Sequence, residues 1–227
     1  MKFKIIFGLL LLITIVSACN QNCDSFKGQT SKDDCYLEKA KSSNDVSICN
    51  NIKTSTIKAA CLAEVGIINE DLAICESIEG LSKEFCKASI AESTKDSEIC
   101  KEIDDIYWKD TCFKNVAIAT LNFELCRPIF NGNMVDDCLT ELRDQVNDSA
   151  ICFYFIDLQK ADNCYRKFAL QNNDLKLCDE MNEPINKYGN CYKKLAEQLN
   201  DLEICNKIKV ADIKKACLEK LEEIKNS

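Results

Sequence analysis

Seventeen cysteines and no histidine set the chemistry open to this chain of 227 residues. Without imidazole, every triad or metal site that depends on it is excluded. From Cys23 onward the cysteines alternate between two steps. The step from the second cysteine of one pair to the first of the next, as from Cys35 to Cys49 or Cys61 to Cys75, is always 14 residues. Within a pair the step is 12, apart from 11 between Cys75 and Cys86 and 13 between Cys178 and Cys191. Zinc sites favour close CxxC pairs and usually a histidine, covalent haem needs CxxCH, and a thioredoxin-like centre needs CxxC. The sequence contains none of these. Cysteines this regular in an exported chain form a disulfide framework.

The ends of the array choose between two pairings. Closing the shorter steps gives Cys23–Cys35, Cys49–Cys61, Cys75–Cys86, Cys100–Cys112, Cys126–Cys138, Cys152–Cys164, Cys178–Cys191 and Cys205–Cys217, and leaves Cys19 alone. Closing the 14-residue steps strands Cys23 and Cys217. A helical hairpin turning at 53–56 brings Cys49 and Cys61 level, whereas Cys61 and Cys75 miss by about a helical turn.

Carboxylates are the other reactive groups in quantity. Asp104-Asp105 and Asp136-Asp137 are the candidate acid and base pairs of a cell-envelope enzyme, the alternative to a binding role. Asp136, however, belongs to a recurring set with Asp33, Glu84, Asp110 and Asp162, each two residues before a second cysteine, where a helix N-terminus favours negative charge. Asp104-Asp105 falls in a loop. A ladder of aspartates does not make a calcium site either, because rungs ~9 Å or more apart cannot share an ion whose ligands stand ~2.3–2.6 Å away. No catalytic residue, metal or cofactor is expected.

The elements that hold these residues repeat about every 26 positions. Asp45, Asp71, Asp96, Asn122, Asp148, Asp174 and Asp201 each stand four residues before a first cysteine and are N-caps of short helices. Three residues past that cysteine comes an apolar side chain: Ile52, Ile78, Ile103, Ile129, Phe155, Met181 or Ile208. In the first repeat the cap position is Cys19 itself. Five residues past the second cysteine stand Ala40, Gly66, Ala91, Ala117, Ala169 and Ala196, small enough for close helix approach, with Arg143 and Glu222 as exceptions. Six glycines and two prolines are too few for a many-stranded β fold. The predicted class is all-α: one α-solenoid domain over 19–227, built of eight helical hairpins, each stapled by its own disulfide. The array resembles tetratricopeptide and Sel1-like solenoids in kind, without their repeat lengths or signatures. A bridge closing so short a loop contributes up to about 3 kcal/mol, offsetting a thin core.

Residues 1–18 have the basic, apolar and small-residue zones of a secretion signal, and the apolar run from Ile5 to Val16 is too short for a span of ~20 residues. Val16-Ser17-Ala18-Cys19 resembles a prokaryotic lipobox, which implies lipidation of Cys19 and a membrane-anchored, extracytoplasmic protein. Removal of residues 1–18 leaves 27 basic and 37 acidic residues, a formal charge of −10, which disfavours nucleic acid as a partner. The partner expected instead is another protein or a surface polymer. Tyr107, Trp108, Phe130, Tyr154 and Tyr188 fall in or beside the segments joining the two helices of repeats four to seven, and form the predicted partner-binding edge.

Overall fold

The computed structural model describes residues 22–226, so the predicted signal segment and Cys19 lie outside the described residues. Among these residues there is no strand. Eight short helical segments alternate with eight long helices: α1 (Gln29–Ser43), α2 (Ser55–Asn69), α3 (Leu81–Thr94), α4 (Ile106–Thr120), α5 (Gly132–Arg143), α6 (Leu158–Asn172), α7 (Asn186–Tyr192 running into Lys193–Leu199) and α8 (Ala211–Asn226).

The short segments begin where the sequence places their caps. Side-chain oxygens of Asp45, Asp71, Asp96, Asn122, Asp148, Asp174 and Asp201 each accept the backbone N–H two residues on. The first repeat departs from the expectation at Cys19: Asn22, immediately before Cys23, caps its single turn by accepting from the Asp24 N–H. Each segment is only one or two turns long and in four repeats is wound as a tighter 3₁₀ helix. Such a segment would not persist alone; its cystine and the apolar residue after it anchor it. Ile52, Ile78, Ile103, Ile129, Phe155, Met181 and Ile208 are all buried, as is every cysteine from Cys23 to Cys217 except the half-buried Cys35.

Eight disulfides close within the hairpins, from Cys23–Cys35 to Cys205–Cys217, with Cα–Cα distances of 5.4 to 6.0 Å. The two irregular steps are absorbed in the long helices. The helical conformation of the long helix begins six residues past the first cysteine in every repeat, at Pro184 in the seventh, so a missing or extra residue must fall between helix start and second cysteine. In α3 the shorter step is entered through Gly80, whose φ of +71° costs a glycine little. In α7 the extra residue before Cys191 is taken up as a π-helical stretch, Asn186–Tyr192.

One motif closes each repeat and opens the next. Asn44, Glu70, Lys95, Leu121, Asn173 and Asn200 are left-handed, with φ between 51° and 59°. The following cap residue then returns its N–H to the small residue: Asp45 to Ala40, Asp71 to Gly66, Asp96 to Ala91, Asn122 to Ala117, Asp174 to Ala169 and Asp201 to Ala196, at 2.9–3.1 Å. The small side chain is required because the next repeat's bridge lies against it. A Cβ on Gly66 would stand 3.2 Å from both Cys86 Sγ and Ile74 Cγ2. Repeat five, with Arg143 there, ends differently: Gln145 and Val146 both donate to the Leu142 carbonyl and no left-handed residue follows.

The described residues form two compact units, 22–112 and 113–226, the border falling within α4. In the first, α2 packs on α1 and α3, and Ala40, Ile52, Val65 and the Cys49–Cys61 bridge form a buried cluster with Tyr36 and Leu37 against it. In the second, α6 packs on α7, and α7 on α8, around Leu139, Ile151, Phe168, Leu195 and Leu221.

Candidate functional site: the linker edge

Two devices fix the segment between the short and the long helix in repeats two, four, six and seven. One is the buried apolar residue three past the first cysteine. The other comes from the preceding repeat, through the acids placed by sequence at helix N-termini. Asp33, Glu84, Asp110, Asp136 and Asp162 are buried, and four of them accept backbone N–H groups of the next linker. Asp33 takes Lys53 and Thr54 at 3.0 and 2.9 Å. Glu84 takes Asp104 at 3.4 Å. Asp136 takes Ile156 and Asp157 at 2.8 and 3.2 Å, and Asp162 takes Asn182 and Glu183 at 2.7 and 3.1 Å. Burial by itself raises the Asp33 pKa; hydrogen bonds from the Thr54 side chain, the Lys53 and Thr54 amides and Gln29 outweigh it and hold the group below the usual carboxylate range. The favourable position at a helix start is thus secondary to a clamp from one repeat to the next.

In and beside these linkers several large apolar side chains are exposed. Tyr107 is 62% exposed, Phe130 82% and Phe153 77%. Leu81, Ile106, Ile156, Leu158 and Ile185 are exposed on the same kind of segment. Large apolar groups displayed around the same segment of several repeats mark a contact surface more strongly than the same residues scattered singly.

The residues picked out by sequence divide into local groups. In the first unit Trp108 is half-buried, with its ring 5.5 Å from Phe85 and 5.6 Å from Tyr107, both edge-on. In the second, Tyr154 stacks with Phe123 and Phe153, lies 5.4 Å from the Arg127 guanidinium, and donates its hydroxyl to Glu124 at 2.7 Å. That hydrogen bond lowers the Glu124 pKa and raises that of Tyr154. Tyr188 is half-buried against Tyr192 at 5.3 Å. Trp108, Tyr154 and Tyr188 are therefore partly packed supports, whereas Tyr107 and Phe130 face solvent. The aliphatic members of the edge escaped the sequence reading, which followed aromatics; their signal is an apolar residue four to seven positions past the first cysteine, outside the buried pattern.

The paired carboxylates do not converge as an acid and base. Both oxygens of Asp136 are engaged by linker amides, while Asp137 is exposed. Asp105 accepts the Trp108 N–H at 3.0 Å, fixing the start of α4. Among the described residues, no group of three or more acids and cysteines is placed to hold a metal ion.

The bridges define the class: an all-helical, disulfide-stapled repeat protein of an oxidising compartment. No helix among the described residues is long and apolar enough to cross a membrane. Comparison with protein-family models, curated proteins and solved structures gives no match.

Proposed function

We propose that this chain is a lipid-anchored extracytoplasmic α-solenoid, one array of eight hairpins, that acts as a binding or scaffolding module for another protein or a surface polymer. Cys19 is the lipid-bearing residue in this reading, and the linker edge is the contact surface. The observation that carries it is the display of Tyr107, Phe130 and Phe153 to solvent in or beside the segments that join the helices of repeats four to six. Rigid aromatic anchors lose little conformational freedom on binding, and such side chains dominate interface energies.

The test is retention of a partner from native membranes by the anchored protein, comparing the parent with a Tyr107→Ala, Phe130→Ala variant. The reading expects lost retention with the melting temperature within about 2 °C of the parent, as for exposed side chains. Equal retention by both proteins rules out this edge as the contact surface. Anchoring is tested separately: Cys19→Ser should abolish acylation and leave the signal unprocessed, and an unchanged mass and detergent partition would refute it.

A further inference from the structure

The bridges of this chain are not equally covered. From Cys49 on every cysteine is buried, and the second and third bridges show what covers them. Ala40 of repeat one shares a buried cluster with Cys49 and Cys61. Cys86 Sγ lies 3.6 Å from the Ala63 carbonyl oxygen of repeat two, and 3.2 Å from where a Cβ on Gly66 would stand. The preceding repeat supplies the wall. Cys35 is half-buried, the one exception from Cys23 to Cys217, and its bridge belongs to the first repeat. With residues 1–18 removed, Cys19-Asn20-Gln21 is too short to build a hairpin behind it. Phe26 shows the same lack of cover: it is half-buried, whereas its counterparts from Ile52 to Ile208 are buried. The Cys23–Cys35 bridge also holds the chain ahead of α1. The bonds from the Ser25 N–H to the Asn22 carbonyl and from the Phe26 N–H to the Cys23 carbonyl run within the first turn and do not tie it to α1. The Tyr36 hydroxyl does reach the turn, donating to Asp24 at 2.9 Å, but at the surface.

We infer that Cys23–Cys35 is the bridge of this chain that exchanges with a protein dithiol of the CxxC class outside the cytoplasm, and that its reduction frees the chain ahead of α1. Exchange needs a thiolate to reach a bridge sulfur in line, so access decides which bridge reacts. A thiolate of the dithiol attacks the Cys35 sulfur; a mixed disulfide forms, the Cys23–Cys35 bond breaks, and Cys23 leaves as a thiolate. The second thiolate of the dithiol then attacks its own partner sulfur in the mixed disulfide and expels Cys35. The bridge gains two electrons, the dithiol is oxidised to its disulfide, and its two protons pass to Cys23 and Cys35. With the bridge open, the first fixed point of the chain moves from Cys23 to Gln29, the start of α1. On the reading of Cys19 as the lipid-bearing residue, this resets the leash: the four steps from Cys19 to Cys23 span at most ~14 Å, and the ten from Cys19 to Gln29 ~35 Å. Reduction of one bridge thus lets the repeats stand further from the bilayer.

The experiment treats the intact, oxidised protein with limiting dithiothreitol, traps new thiols with iodoacetamide, and maps the label by mass spectrometry. Cys23 and Cys35 should be labelled at least tenfold faster than any other pair. The opposite end of the array is the internal control, because Cys205 and Cys217 are both buried in the last repeat. Equal labelling there would show that bridges open by fraying of the ends, and labelling spread over all eight would show that cover does not matter; either overturns the inference. Release of the turn is read separately, by amide hydrogen exchange. On reduction the Phe26 amide should exchange at least tenfold faster, while that of Ile52, bonded to the Cys49 carbonyl at 3.2 Å in the next repeat, should not change. A Cys23→Ser, Cys35→Ser variant with the other seven bridges intact should match the reduced parent at Phe26. Slow exchange in both overturns the release. None of these measurements uses the lipid, so a Cys19 that carries no acyl group by mass refutes the anchoring reading and the leash with it, and leaves the exchange of the first bridge standing or falling on its own result.

Discussion

Asp162→Ala removes a clamp whose geometry is fully defined. The carboxylate accepts the Asn182 and Glu183 amides at 2.7 and 3.1 Å and the Asn182 and Asn186 side chains at 3.2 and 3.5 Å. Hydrogen bonds to a charged acceptor contribute ~1.5–3 kcal/mol each, and truncating the acceptor leaves its donors unmatched. The four share one group and do not add, and Asn182 and Glu183 are exposed enough for water to replace part of the loss. A cost of about 2–4 kcal/mol follows. For a chain of this size that corresponds to a fall of roughly 5–15 °C in melting temperature. The sharper assay is amide hydrogen exchange with all bridges intact, because local opening of the linker is read at the two amides themselves. Exchange at Asn182 and Glu183 should accelerate at least about tenfold, the equivalent of ~1.4 kcal/mol. Asp162→Asn, which keeps one acceptor oxygen, should recover part of the protection. Unchanged exchange at both amides together with an unchanged melting temperature would refute the clamp.

Two further outcomes follow from particular positions. Leu121 is left-handed, with φ of +54°, and half-exposed, so Leu121→Asn should relieve backbone strain at little packing cost and raise stability by about 0.5–1 kcal/mol in thermal or chemical unfolding. Hydrogen bonds from Arg143 and Lys167 hold the Asp144 pKa at about 2, below its ordinary value. A depressed carboxylate contributes stability that is present above its unfolded pKa of ~3.9 and lost as pH falls through the folded one. Asp144→Asn should therefore be less stable than the parent at pH 5, with the difference shrinking between pH 4 and pH 2 in acid unfolding followed by circular dichroism.

The parts of the fold written in residue type were legible. Cap aspartates, cysteine steps and buried hydrophobes each require one kind of side chain, so their period shows. The left-handed residue that joins the repeats did not show, because Asn44, Glu70, Lys95 and Leu121 share a backbone conformation and no chemistry. The clamp was visible as a set of five acids, but its partners are backbone amides 20 residues away, which carry no sequence signal. The edge was half legible: aromatics stand out in any sequence, while exposed Leu81, Ile106 and Leu158 look like core until the buried set is known. Trp108 illustrates the reverse. Its stack on Phe85, a residue of the preceding repeat, makes it a support for the edge, and Trp108→Ala is a poorer test of binding than Tyr107→Ala.

The central claim is that each hairpin is stapled by its own bridge, and trypsin reads this directly. No lysine or arginine lies between Cys61 and Cys75, so both leave on one peptide, Ala59 to Lys83. With bridges Cys49–Cys61 and Cys75–Cys86, that peptide emerges without reduction only as a cluster of three, joined to Ser42–Lys53 and Glu84–Lys87. Reduction should release all three together. Recovery of Ala59–Lys83 as a free species, lighter by two hydrogens than its reduced form, as the main non-reduced product would contradict the stapled hairpin and the repeat architecture built on it.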